Sequence, residues 1–449
     1  MAGPVVLAML SQTMINLLDT VMVGRLPQAE ATAGQTAIGH AIILYWAFGG
    51  FLSAIQVGTQ AITARRYGES NWEGAGQVLS NSFFLAFSAG AAATIAGFLV
   101  TPHLFPYFNA NEAVLREGVP YCQARMVGVL SMVATFSMKS FYDGLGRTRV
   151  HMTAALVMNG LNVLLNWLLI FGVWIFPRLG VAGAGMASTI SSYVGMFILI
   201  GWALRARDVE RYRYLRKSNF SPRVLWEIVR LSVPSGLATV FVMTGFALFL
   251  VIVAMLDEQA AEAIGDPDRR AIFGAATKVN IDILSISFMS CMAFGTATAT
   301  LVSQSIGKGD TRLAERFGWE SVRLGVSFMT ILGSLVILFP DVTMGLFTQD
   351  QAVIDAGRDS LRMMGISEVF IALGLITAQA LFGAGNTKYV MLVELVLHFT
   401  CLVPLAWLLG VVLDFGLMGV WISALTYVVL MATLMAWKFY EGKWKDIRL

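Results

Sequence analysis

The chain opens with MAGPVVLAMLSQTMINLLDTVMVGRL, an apolar stretch of membrane-span length in which Asp19 is the first charged side chain. An ionised carboxylate in hydrocarbon costs at least a few kcal/mol, so an acid in this setting is a functional residue by default. Gln12, Asn16 and Asp19 are spaced i, i+4, i+7 and share one helical face. A second apolar stretch, AALVMNGLNVLLNWLLIFG, places Asn159, Asn162 and Asn166 on one stripe. Lipid offers no hydrogen-bond partners, so the two polar stripes need each other. A third stretch, GVAGAGMASTISS, is rich in small residues that allow close backbone approach. The competing reading is that Asp19 merely ties its helix to Asn162 or Asn166. The Asn stripe serves equally as helix–helix glue or as a direct ligand set.

Other charges fall inside apolar stretches. Lys139 and Asp143 are four apart and can neutralise each other. A structural pair is favoured over a substrate role, and a charge relay from Asp19 to Lys139 stays open. Lys278 and Asp282 form a similar pair. Glu368 stands nearly alone in MMGISEVFIALG. It is either the second-half candidate for binding a cation or a solvated acid at the outer end of its helix. Glu394 and His398, one turn apart, read as a hydrogen-bonded pair, with a proton relay as the alternative. No GxxxxGK[ST] loop is present, so ATP is not the energy source. The four histidines (40, 103, 151 and 398) are scattered, no Ser–His–Asp or metal-ligand grouping lies within the spans, and no enzyme or cofactor is indicated. Cys122, Cys291 and Cys401 read as small packing residues.

The elements that must hold these residues are membrane helices. Of 449 residues 57% are hydrophobic and 13% charged, and mean hydropathy is +0.70, which excludes a soluble enzyme. Apolar runs of about 20 residues read as spanning helices. They cover 5–24, 38–62, 78–100, 118–142, 150–173, 181–204, 229–256, 271–302, 318–340, 358–381, 389–412 and 416–437. The fold class is therefore an all-α integral membrane protein of twelve spans, without the short alternating strands of a barrel. No small-residue cleavage site follows the first run, so it is a helix and not a removable signal. A further cytoplasmic segment ahead of Pro4 remains open.

With both termini in the cytoplasm, 21 of the 31 Lys and Arg fall on the cytoplasmic side, 8 outside, Arg125 among these, and 2 within spans. This bias sets the orientation. The segment RARDVERYRYLRKSNFSPRVLWEIVR is then a cytoplasmic linker and not a nucleic-acid patch, since it carries three acids beside a membrane.

The linker divides two similar halves. ITARRYGESN at 62–71 pairs with LVSQSIGKGD at 301–310, PYFNANEAV at 106–114 with GLFTQDQAV at 345–353, and GLGRTRV at 144–150 with GAGNTKY at 383–389, all at an offset of 239. The first helices match at 230 (Pro4 with Pro234), and the loop DEQAAEAIGDPDRR supplies the difference. The organisation is a first six-helix lobe (1–204), the linker (205–228), a second six-helix lobe (229–437) and a cytoplasmic tail (438–449). Six helices per repeat make the repeats parallel, which favours a transporter over a duplicated channel or intramembrane enzyme.

PVVLAMLSQTMINLLDTVMVGRL, the two glycine-turn loops, GLGRTRV, FGAGNTK and the tail EGKWKDIRL resemble the MATE family of multidrug and toxic-compound extrusion antiporters over essentially the whole chain. The resemblance implies two lobes forming a V, and export of cationic or amphipathic organic compounds in exchange for H⁺ or Na⁺. The seventh helix lacks the glutamate of the NorM-like branch, whereas Asp19 matches the first-helix aspartate of the DinF-like branch. Pro4 matches the proline at which that helix is proposed to bend, and Ser188 the place of a Ser/Thr-type ligand. Asn162 and Asn166 fall where archaeal members carry an asparagine and an aspartate, so the second carboxylate is missing. One carboxylate with amide oxygens can hold Na⁺ through Asp19, Asn162 and Asn166, more weakly than two would. It suffices for one proton, so H⁺ is favoured.

Asp19, Asn162, Asn166 and Ser188 are thus the coupling residues. Gln12, Asn16, Asn159, Lys139 and Glu368 are the substrate-cavity candidates. The expected setting is a monomer in the inner membrane of a prokaryote, with a small organic substrate, H⁺ or Na⁺, and lipid as its partners. The alternative is a flippase for lipid-linked precursors. That reading needs a strongly cationic cavity, for which only Lys139 qualifies.

Overall fold

The computed structural model describes residues 3, 5, 7–8, 11, 18–19, 21–109, 111–214, 216–265 and 271–448. Pro4, Gln12 and Asn16 lie outside the described residues. The helices that follow the first span are α1 (Gln28–Ser53), α2 (Ile55–Gly68), α3 (Trp72–Phe108), α4 (Glu112–Gly144), α5 (Thr148–Phe171), α6 (Gly180–Ala203), the short α7 (Ala206–Tyr212), α8 (Pro222–Ile264), α9 (Ile272–Gly307), α10 (Thr311–Leu338), the short α11 (Pro340–Gly345), α12 (Gln351–Ala384), α13 (Thr387–Val412) and α14 (Gly416–Glu441). Each of the twelve expected spans coincides with helix, the first of them described only in part.

Side-chain caps set where these helices begin, and the caps repeat. Asn71 accepts from the Gly74 N–H at the start of α3, and Asp310 accepts from the Leu313 N–H at the start of α10. Asn111 accepts from Ala113 N–H ahead of α4, and Asp350 from Ala352 N–H ahead of α12. Both pairs are 239 residues apart, as are Gly146 and Gly385, whose φ of 76° and 91° needs glycine. The sequence repeat is therefore a repeat of local structure.

The differences have local causes. The 38–62 span is broken at Ala54 into α1 and α2. α8 continues through Asp257–Ile264, beyond the 229–256 span expected from hydropathy. Asp257 then accepts from the N–H groups of Phe273 (2.9 Å) and Gly274 (2.7 Å), capping α9. α13 is interrupted by π turns at His398–Leu402 and Leu408–Val412. Pro404 has no N–H to continue the α ladder, which accounts for the first.

The residues form two compact units: 1–236 with 303–309, and 237–302 with 310–448. The core of the first gathers Val23, Ala37, Val78, Phe105, Met126 and Ile170. Its linker is tied down: Asn81 Nδ2 donates to Asn219 O (2.7 Å), and Arg147 pairs with Asp208 (2.8 Å). The core of the second gathers Phe249, Ala276, Leu361, Ala406 and Trp421. Outward faces remain apolar, as at Ile95, Leu99, Phe197, Leu324 and Leu338, which suits lipid as their solvent.

Candidate ion-coupling site

Asp19 is 8% exposed and reaches two helices of the first unit. Asn166 Nδ2, on α5, donates to Asp19 Oδ1. Ser188 Oγ, on α6, donates to Asp19 Oδ2 (3.1 Å). Asn162, one turn before Asn166, places its amide between the carboxylate and Ser188. In one orientation its Nδ2 donates to Ser188 Oγ (3.1 Å). Turned about, its nitrogen donates to Asp19 Oδ1 (3.1 Å) and its oxygen accepts from Ser188. An amide rotor of this kind can serve either protonation state: its N–H₂ faces an ionised carboxylate, and its oxygen faces a protonated one. Among the described residues Asn166 Oδ1 is buried without a hydrogen-bond partner.

Close helix packing makes this geometry accessible. A Cβ on Gly183 would stand 2.7 Å from Leu169 O of α5, and one on Gly185 2.8 Å from Tyr121 O of α4. The small-residue stretch thus brings α6 against both neighbours and sets Ser188 opposite Asp19. Asn159 belongs to the same stripe but turns elsewhere: its Nδ2 donates to Ser11 Oγ of the first helix (2.6 Å).

A charge inside a span also faces this site. Arg125 was counted with the outer charges, yet it lies inside α4, one turn after Tyr121. Its guanidinium sits 4.3 Å from the centroid of the Tyr45 ring and within electrostatic range of Asp19. Ala124, its neighbour, accepts from Thr189 Oγ1 (2.7 Å), next to Ser188. The signal was its position inside the 118–142 span, where a charge needs a partner.

Other candidates are placed apart. Lys139, on α4, acts on Asp143 and His151 rather than on Asp19. Glu368, in the second unit, is fully buried beside Ser287 of α9, so it is no solvated helix end. Lys278 and Asp282 pair at 2.5 Å on an exposed face. Among the described residues no three His, Cys, Asp or Glu side chains gather as metal ligands.

A carboxylate held by two spanning helices, in a chain of two parallel helical repeats, defines a multi-pass membrane protein with a polar cluster buried inside its first unit. The chain belongs to the MatE family, whose model matches residues 4–168 and 273–408. It is 26% identical over 445 residues to the probable multidrug resistance protein NorM of Thermotoga maritima, covering 97% of this chain and 89% of that one. It is 27% identical over 458 residues to the multidrug resistance protein NorM of Burkholderia vietnamiensis, covering 98% and 92%. Among solved structures it shares the fold of an outward-facing multidrug resistance MATE family transporter of the MOP superfamily, with TM-score 0.87, 20% identity and coverage of 98% and 94%. A MOP superfamily transporter from Pyrococcus furiosus matches with the same score, identity and coverage.

Proposed function

We propose that this protein is a proton-coupled secondary antiporter that exports cationic or amphipathic organic compounds, with Asp19 as the coupling carboxylate. The observation that carries the reading is the clasp of one buried carboxylate by Asn166 and Ser188 beside Arg125. A single acid suffices for one proton. Na⁺ would meet one carboxylate, amide oxygens and the repulsion of the guanidinium. The names of the NorM relatives support the organic substrate. The acid on the first helix, together with the absence of any acid on α8 between Leu231 and Leu256, supports the DinF-like branch. The charge bias supports an orientation with both termini in the cytoplasm, and the bacterial NorM relatives support an inner membrane.

Proton uptake neutralises Asp19 and removes the cost of burying its charge. The Asn162 amide turns to accept from the acid, and the grip of α5 and α6 on the first helix changes. Loss of the proton restores a negative charge that favours a cationic substrate. The ion drives this cycle only through unequal affinity for the two states. The test is substrate efflux from proteoliposomes under an imposed ΔpH and, separately, under a Na⁺ gradient. Efflux with ΔpH alone is expected, and efflux with Na⁺ alone would overturn the proton assignment.

A further inference from the structure

The second unit holds an acid, a base and a phenol in mutual contact that the Asp19 site does not use. Glu394 (7% exposed) and His398 (2%) lie on α13. Tyr427 of α14 donates its O–H to Glu394 Oε2 (2.8 Å). His398 Nδ1 is 2.8 Å from Glu394 O and 3.4 Å from Glu394 Oε2, and its ring centroid is 4.5 Å from that of Tyr427. The imidazole presses on α8 at Gly245, where any Cβ would collide with it. Besides these three, Cys401 is the one titratable group found to act on the cluster among the described residues, and no Lys or Arg does so.

Position adds an independent argument. His398 follows Asn159 by 239 residues, the offset of the helix caps, and Cys401 follows Asn162 by the same offset. In the first unit Asn159 contacts the first helix of its repeat at Ser11; in the second, His398 contacts α8, the first helix of its own repeat, at Gly245. The same turn that carries amides in one repeat carries an exchangeable proton in the other. The π turn starting at His398 widens the helix there, a deviation found at functional sites.

We propose that Glu394, His398 and Tyr427 form a second proton-binding site. Loaded, the cluster holds one proton shared between the Glu394 carboxylate and the His398 imidazole and is neutral. Unloaded, it carries one negative charge on Glu394, stabilised by the Tyr427 O–H. Any part this site plays in transport rests on the proton-coupled reading above, but proton binding itself does not.

Infrared difference spectra of the purified protein in detergent, taken across a pH titration, test the site without any gradient. Wild type is expected to show a titrating carboxylic-acid band that Glu394→Gln loses. Tyr427→Phe, which keeps the ring packing and removes one hydrogen bond, is expected to move the band's midpoint by about one pH unit. If Glu394→Gln does not yield a monodisperse protein, His398→Gln and Tyr427→Phe carry the test by shifting the same band. Spectra of the variants that superimpose on wild type would overturn the proposal. Efflux that ignores ΔpH while the band still vanishes in Glu394→Gln would sink the antiport reading and leave this site standing.

Discussion

Asp19 accepts from two side chains on different helices; Asn at this position keeps the size and one acceptor, turns the other into an N–H donor that the Ser188 hydroxyl can accept, and removes the charge. Asp19→Asn is therefore expected to reduce ΔpH-driven efflux to the level of liposomes without protein. Glu368→Gln, at equal protein levels, should retain appreciable efflux; equal loss in both would move the coupling site or spread it over both repeats. The missing second acid gives a sharper test. Asn166→Asp would set two carboxylates side by side, whose mutual repulsion a bound cation relieves. This variant should acquire a saturable Na⁺ response in tryptophan fluorescence, read through the neighbouring Trp167, whereas wild type should not. A wild type that already responds to Na⁺, and not to Li⁺ or K⁺ at matched ionic strength, would make Asn162 and Asn166 true ligands. Arg125→Gln removes the fixed cation and is expected to move the site in the same direction as Asn166→Asp. The asparagine side of the clasp was legible because helical periodicity and the scarcity of polar side chains in hydrocarbon leave few partners for a buried acid, while Ser188 was indicated by the family resemblance alone. The position of Arg125 inside the 118–142 span was equally legible, but its neighbours were not, because Tyr45 and Asp19 come from other helices that only the fold brings to it.

Helices carry these residues into place through backbone contacts that a single side chain can pry apart. Gly185 lets α6 lie against Tyr121 O of α4, so Gly185→Leu is expected to cost about 1–3 kcal/mol by overpacking. It should appear as a lowered melting temperature in detergent, together with weakened ΔpH-driven efflux, because Ser188 would be pushed off Asp19. An unchanged melting temperature would show that α6 is not pinned there. At the other repeat, Asp257→Ala removes both acceptors from the start of α9 and should cost about 1 kcal/mol in the same measurement. Hydropathy made the twelve spans readable, because a run of about 20 apolar residues has few other uses. Helix ends were less so. The acids of Asp257–Ile264 suggest solvent, and solvent is compatible with helix as well as with loop. The break at His398 arises from Pro404, and hydropathy carries no trace of it or of the break at Ala54.

Across the whole molecule, orientation follows from charge bias and can be checked chemically. In a background with Cys122, Cys291 and Cys401 replaced, Arg207→Cys and Lys443→Cys should react with an impermeant thiol reagent only in inverted vesicles. Arg116→Cys should react in intact cells. The reverse pattern would invert the topology. The two repeats, legible at 239 residues, reappear in paired caps, yet they have diverged in chemistry: an acid with amides and a hydroxyl in one, an acid with an imidazole and a phenol in the other. The part of α8 that follows Pro234, 30 residues in one helix, is about 45 Å long, half as long again as the hydrocarbon it crosses. It therefore behaves as a gauge needle. A tilt of about 10° around its middle, too small to register near the axis, would sweep its far end by on the order of 5 Å. A spin label at Glu258→Cys, on that exposed end, would magnify movements of the buried part into distances that spectroscopy can read.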